Sequence, residues 1–283
     1  MLAPAVLYLG GFLIIILIKV SGLAFSFADP EGFLFPSISN FIILFDNPEF
    51  NDALTRTIYF VLIGTPVELI AGMVLAFLIA DNFKGIGIVR GIFILPVAIP
   101  AIVTAIILYI MFDFPGGHIN DILLGKHGFL PFQIISEPVN WRGSGFFAIA
   151  VSIFGKVWRD MPISMLIILA GLHAIDKDQY EAAATMGANS FQTFFRITLP
   201  LLIPAISTVL ILRSIEFWKE FIFPFILAGS YPLLATLIER AYHEWRNPYE
   251  ASAIALILLV LILIFTATIF MMLKSFRKYL VKI

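Results

Sequence analysis

Lys156, Arg159 and Asp160 interrupt one long apolar stretch, and Arg213, Glu216, Lys219 and Glu220 interrupt another. A charge in such surroundings costs roughly 2.5–3.5 kcal/mol on insertion scales, and it faces a cavity or a partner. Arg213, Glu216, Phe217 and Glu220 are spaced i, i+3, i+4 and i+7, which is one face of a helix. Two chemistries fit this pattern. One is an ion-pair network that pins helices, with Lys156 and Asp160 at i,i+4 and Arg213 and Glu216 at i,i+3. The other is a wet cavity for a polyhydroxyl ligand. Carboxylates and guanidinium groups offer acceptors and donors, and Phe217 offers a ring for the apolar face of a sugar. Trp158 and Tyr109 are lesser candidates for the same pathway. Glu68, in the middle of a third apolar stretch, either joins the group or pairs with a Lys or Arg of a neighbouring helix.

Catalytic constellations are missing from the sequence. There is no GxxxxGK[ST] phosphate loop and no Gly-x-Ser-x-Gly elbow. Zero cysteines exclude disulfides, thiolate metal sites and cysteine nucleophiles. His118 and His127 lack the paired carboxylate or His spacing of a metal site and read as solvated loop residues. No catalytic residue, metal or bound cofactor is expected of this chain.

The elements that must position these charges are membrane helices. Hydrophobic residues make up 60% of the chain and charged residues only 13%, against about a quarter charged in soluble domains. Several stretches reach the ~20 apolar residues that cross a bilayer. The predicted fold is an all-α integral membrane protein, one domain over 1–283 with six spans. These cover about 4–23, 54–80, 91–112, 145–172, 201–227 and 250–273. Pro66 is expected to kink the second span, and Pro96 and Pro100 to break the third. Arg213 and Glu216 would lie ~20 Å into the fifth span at 1.5 Å per residue. The fourth, running the other way, brings Lys156 to Asp160 to a similar depth.

Six spans place both termini on one side of the membrane. Lys84, Arg90, Lys177, Arg196, Lys274, Arg277, Lys278 and Lys282 fall on that side. Lys126, Arg142, Arg240 and Arg246 fall on the other, where Asp29, Glu31, Asp46, Glu49 and Asp52 occupy a loop without Lys or Arg. The positive-inside rule then makes the termini cytoplasmic, together with the segment 173–200. Trp245 and Tyr249 suit an interfacial aromatic belt.

That segment is too polar and too broken to cross the bilayer. Its alanine-rich part, Tyr180 to Met186, favours a short helix. Gly187 supplies a turn, and Asn189 or Ser190 can cap a second helix from Phe191, which Pro200 should end. Phe191, Phe194 and Phe195 fall at i, i+3 and i+4 and make one face of it aromatic. Such a ridge serves either as a plug for a socket on another protein or as an amphipathic connector lying on headgroups.

Glu181-Ala182-Ala183, three residues, Gly187-Ala188, five residues, Phe194, two residues, Ile197, one residue and Leu199-Pro200 resembles the EAA loop of permease subunits of bacterial and archaeal ABC importers. The stretches 51–112, 117–120 and 222–229 are similar to the first permease subunit of maltose/trehalose-type carbohydrate importers. The resemblance implies a coupling helix between spans four and five that docks in a cytoplasmic ATPase. It implies as partners a second permease, two ATPase subunits that bind ATP and Mg, and an external sugar-binding protein. It also implies a multi-pass place in the cell (inner) membrane and no nucleic-acid partner. It puts substrate on the face of Arg213, Glu216, Phe217 and Glu220, which here carries more charge than the family's. Importers of glycerol phosphate, polyamine or phosphate share the loop, and an ATP-independent carrier is the remaining alternative.

Overall fold

The structure, a computed structural model, describes residues 3–28, 34–81, 83–128 and 130–280. Asp29, Glu31 and Lys282 of the charge balance lie outside the described residues, as do the side chains of His127, Arg277 and Lys278. The elements are α1 (Ala3–Ala24), β1 (Ser26–Ala28), β2 (Leu34–Pro36), α2 (Ser39–Asp46), α3 (Pro48–Leu78), α4 (Ile86–Ala98), α5 (Ala101–Met111) and α6 (His118–Leu123). They continue as α7 (Gly145–His173), α8 (Lys177–Thr185), α9 (Ser190–Thr193), a π turn (Phe194–Thr198), α10 (Leu199–Trp218), α11 (Ile222–Leu227), α12 (Leu234–His243) and α13 (Pro248–Leu280). Helix dominates, as expected. Among the described residues the exception is a small antiparallel strand pair, β1 with β2, in which Phe27 pairs with Phe35.

Among the described residues, Pro4–Ala24, Pro48–Leu78, Ser190–Trp218 and Pro248–Ser275 are long and apolar enough to cross a membrane. α4 and α5 pass the same test as a pair, bent by 90° at their break. Pro100 explains the break, because it has no N–H to donate and disfavours helix in the residue before it. α7 has spanning length, 29 residues, but it carries Lys156, Arg159 and Asp160 together near its middle.

The chain forms two compact units. One comprises Met1–Ile58 and Tyr231–Ile264. In it the amide of buried Asn40 donates to the carbonyls of Ala24 (2.9 Å) and Ser26 (2.8 Å) and ties α2 to the end of α1. The hydroxyl of Thr57 accepts the Leu234 N–H at 2.9 Å, and Arg240 pairs with Glu49. These contacts hold α12 against the start of α3. The other unit comprises Tyr59–Ser230 and Phe265–Ile283. Its core has Ala76 and Ile79 of the α3 end, Met165, Ile168 and Leu169 of α7, and Val209 of α10. A second cluster joins Ala105 and Leu108 of α5 to Val151 of α7 and to Phe223 and Leu227 of α11. α7 takes part in both clusters and is the central helix of this unit.

Helix bounds differ from the sequence expectation at several points, and two of them have a local cause. The second long helix starts at Pro48 rather than near residue 54, because Pro48 suits a helix N-terminus and the side chain of Asn47 accepts the Glu49 N–H at 2.8 Å. Pro200 does not end a helix. The stretch Ser190–Trp218 is continuous, and a π turn immediately precedes the proline. The wider turn absorbs the missing N–H and the ring's clash with the preceding turn, a known route by which helices tolerate insertions.

Candidate functional site

The buried charges converge inside the second unit. On α7, Lys156 Nζ lies 2.7 Å from Asp160 Oδ2 and 3.1 Å from Glu220 Oε2. The same ammonium stands 5.2 Å above the Phe217 ring, a cation–π contact. Arg159 pairs with the other Asp160 oxygen and donates through Nε to the carbonyl of Ile99 at 3.3 Å, the residue at the break between α4 and α5. On α10, Arg213 Nη1 donates to Glu216 Oε2 at 2.9 Å. Its Nε lies 3.6 Å from Glu68 Oε1, an ion pair without a hydrogen bond. That same Glu68 oxygen accepts from Ser164 Oγ at 2.8 Å.

Three helices therefore meet at one ionic cluster: α3 through Glu68, α7 through Lys156, Asp160 and Ser164, and α10 through Arg213 and Glu216. Buried charges survive only with this degree of pairing, since removing one partner leaves the other uncompensated. The cluster is not uniformly closed. The side chains of Lys156, Asp160 and Arg213 are almost fully buried, whereas Glu216 is 36% exposed and Glu220 is 13% exposed. The accessible edge thus carries the Glu216 carboxylate and, at 24% exposure, the Arg159 guanidinium, with Glu220 less open. An aromatic face adjoins them, but Phe217 is wholly buried and packs on Phe60 with ring centroids 5.2 Å apart.

The expected helical face of Arg213, Glu216, Phe217 and Glu220 is interrupted. α10 ends at Trp218, and Glu220 stands in the break before α11. There its Oε1 accepts the Phe223 N–H at 3.3 Å. The carboxylate caps the start of α11 while its other oxygen meets Lys156. A spacing rule assumes an unbroken helix, and Pro224 with its flanking aromatics turns the chain just there.

Tyr109 and Trp158 stand apart from the cluster. The Arg142 guanidinium covers the Tyr109 ring at 3.6 Å and pairs with Asp113, which commits Tyr109 to anchoring the 113–144 loop. Buried Asn120 holds the same loop, bonding Asp113 O, Val139 O, the Val139 N–H and Trp141 Nε1. Trp158 lines an apolar cavity of about 250 Å³ with Ile99, Thr104, Ile107 and Phe154.

The segment with Glu181 forms the helix–turn–helix its residues suggest. α8 is followed, after Met186, by Gly187 at φ +77. The Gly187 N–H bonds Ala184 O and the Ala188 N–H bonds Ala183 O, both at 3.0 Å, which is the Schellman pattern that satisfies terminal carbonyls. Asn189 and Gln192 close a capping box on α9. Thr198, in the π turn, donates to the Tyr180 hydroxyl at 3.3 Å, linking the two arms. Phe191 and Phe195 are exposed, 71% and 49%, and pack with centroids 4.5 Å apart and ring planes tilted by 46°. Phe194 instead turns inward onto Phe77, centroids 5.5 Å apart. Two rings, not three, form the outward ridge, because the π turn rotates Phe194 toward α3. Glu181 and Ala182 are exposed, Ala183 is buried, Ala188 is half-buried, and Ile197, Leu199 and Pro200 are half-buried along the run into α10.

Residues 68–277 match the family model described as "Binding-protein-dependent transport system inner membrane component". The trehalose/maltose transport system permease protein MalF of Thermococcus litoralis is 34% identical over 253 residues, 86% of this chain and 81% of the relative. The sulfoquinovosyl glycerol transport system permease protein SmoG of Agrobacterium fabrum is 31% identical over 238 residues, 82% of this chain and 75% of the relative. Among solved structures, a chain of the bacterial alginate ABC transporter in complex with an alginate pentasaccharide-bound periplasmic protein superposes with a TM-score of 0.83. It does so at 20% identity over 98% of this chain and 94% of that one.

Proposed function

The chain belongs to the family of binding-protein-dependent transport system inner membrane components, and on that premise we propose that it is the first permease subunit of an ATP-driven importer for sugars. It is a transport subunit rather than an enzyme. One observation carries the reading: the exposed helix–turn–helix with Glu181 runs without a break, through the π turn, into the helix that bears Arg213 and Glu216. A displacement at the Phe191–Phe195 ridge would therefore reach the ionic cluster along a single rigid rod, since packed helices transmit strain rather than absorb it.

In this reading the six spans are α1, α3, α4 with α5, α7, α9 with α10, and α13. Lys and Arg place the termini and the coupling segment in the cytoplasm. A second permease completes the pathway, and a pair of ATPase subunits binds ATP and Mg and receives Phe191 and Phe195. An external binding protein delivers the sugar, and this chain holds no cofactor itself. Two conformations of the permease pair, biased by ATPase closure, alternate access to the site. Glu216 and Glu220 would accept hydrogen bonds from sugar hydroxyls, with Arg213 and Lys156 behind them setting their orientation.

The test is reconstitution. Affinity capture of the tagged chain from its source membrane should retain a second permease and an ATPase subunit. Proteoliposomes of that complex should take up radiolabelled trehalose or maltose only with ATP and the binding protein present. Uptake without ATP, or capture of the intact chain with no ATPase, would refute the reading.

A further inference from the structure

Glu68 is wholly buried in α3, and glycines stand one turn away on each side, Gly64 and Gly72. A Cβ at Gly64 would lie 2.1 Å from the Phe217 ring of α10. A Cβ at Gly72 would lie 2.6 Å from Ser164 Cβ of α7. The stripe Gly64–Glu68–Gly72 is thus the line along which α3 meets both neighbours, and the absent side chains let Glu68 reach them. Small residues serve such close approach between membrane helices. Glu68 Oε1 then bonds Ser164 and faces Arg213 Nε, while Oε2 has no hydrogen-bond partner among the described residues. A carboxylate with one idle oxygen is a poor fastener, since an apolar residue would pin the helices at less desolvation cost. What it does provide is direction. It holds one edge of the Arg213 guanidinium, and the opposite edge carries Glu216.

We infer that Glu68 is a positioning residue that aims the Arg213 guanidinium at Glu216 and so sets the charge at the accessible edge of the ionic cluster. The inference rests on the transport reading, in which that edge borders the sugar pathway. Asp160 and Lys156 of α7 and Glu220 beyond α10 surround the pair and balance one another. Their mutual pairing leaves Arg213 to Glu68 and Glu216.

The absence of cysteine in the chain makes a test possible that needs no sugar. In the assembled complex, Glu216→Cys places a single thiol where the guanidinium points. Its rates with an anionic and with a cationic methanethiosulfonate reagent, both membrane-impermeant and followed on this chain by mass spectrometry at one pH, give a ratio that reports the potential at the thiol. A neighbouring cation raises the anionic-to-cationic ratio. Adding Arg213→Gln should lower it severalfold. Adding Glu68→Gln should also lower it, although removing a negative charge would by itself raise it, because only displacement of Arg213 acts in that direction. Glu68→Asp should restore part of the ratio, and Ser164→Ala, which frees Glu68 without altering charge, should reproduce a smaller fall. A ratio that is unchanged or higher with Glu68→Gln, where Arg213→Gln lowers it, overturns the inference and leaves the transport reading intact. A thiol that reacts with neither reagent overturns both, since the edge would then not face water.

Discussion

Replacing Gly187 by valine isolates the mechanical role of the turn. Gly187 adopts φ +77, and a Cβ there would meet nothing within 4 Å. The penalty is therefore conformational and not steric. Left-handed backbone costs an L-residue roughly 1–2 kcal/mol, and a β-branched side chain is a true outlier there. Taking about 2 kcal/mol, the population holding both Schellman hydrogen bonds falls roughly 30-fold relative to the frayed form. The segment has little else to hold it, since Met186 is 87% exposed and α8 buries only Ala183. Proteoliposomes should therefore hydrolyse ATP at near-normal basal rates while the sugar carried per ATP drops severalfold or more. Gly187→Asn, which tolerates the left-handed region, should retain most of the coupling, and Gly187→Ala should fall between. Valine and asparagine variants equally impaired would refute the strain argument, pointing instead to side-chain bulk at the ATPase surface. Full coupling in the valine variant would refute the role of the turn altogether.

Two further outcomes follow from the same geometry. Phe191→Ala and Phe195→Ala should each weaken capture of the ATPase subunit, by roughly 30-fold for the ~2 kcal/mol lost on burying one Phe ring, with the permease itself folding normally. Phe194→Ala should instead lower the thermal midpoint of the solubilised permease, because that ring packs on Phe77. Equal binding defects in all three would contradict the inward placement of Phe194. Lys156→Met leaves Asp160 and Glu220 facing each other without their shared cation. The cost of about 3–5 kcal/mol for a broken buried pair should appear as poor recovery of folded protein by fluorescence size-exclusion, and Lys156→Arg should recover part of it. Wild-type yield in the methionine variant would show the pair to be dispensable.

Much was legible in the residues alone. Apolar stretches of bilayer length announce membrane helices, and the residues from Tyr180 to Phe195 announce a helix–turn–helix, because both are written within some twenty consecutive residues. Gly187 as the turn and a cap at Asn189 or Ser190 were equally readable, since a positive φ and an orphan N–H are local demands that few residue types meet, and the structure chose Asn189. The placement of Arg213 with Glu216 and of Lys156 with Asp160 followed from helical periodicity.

Only the folded chain decided the rest. Glu68 and Arg213 lie 145 positions apart, and nothing local says which of the buried cations a lone carboxylate will meet. The glycines at 64 and 72 carried a signal, yet its meaning depends on which helices fill those gaps, and that is settled by packing. Glu220 left the expected face because α10 stops at Trp218, and Pro200 was absorbed because a π turn precedes it. Backbone preferences are short-ranged and additive along the chain. Charge partners, helix breaks and ring orientations are chosen by close packing between distant segments, where one side chain's place fixes another's.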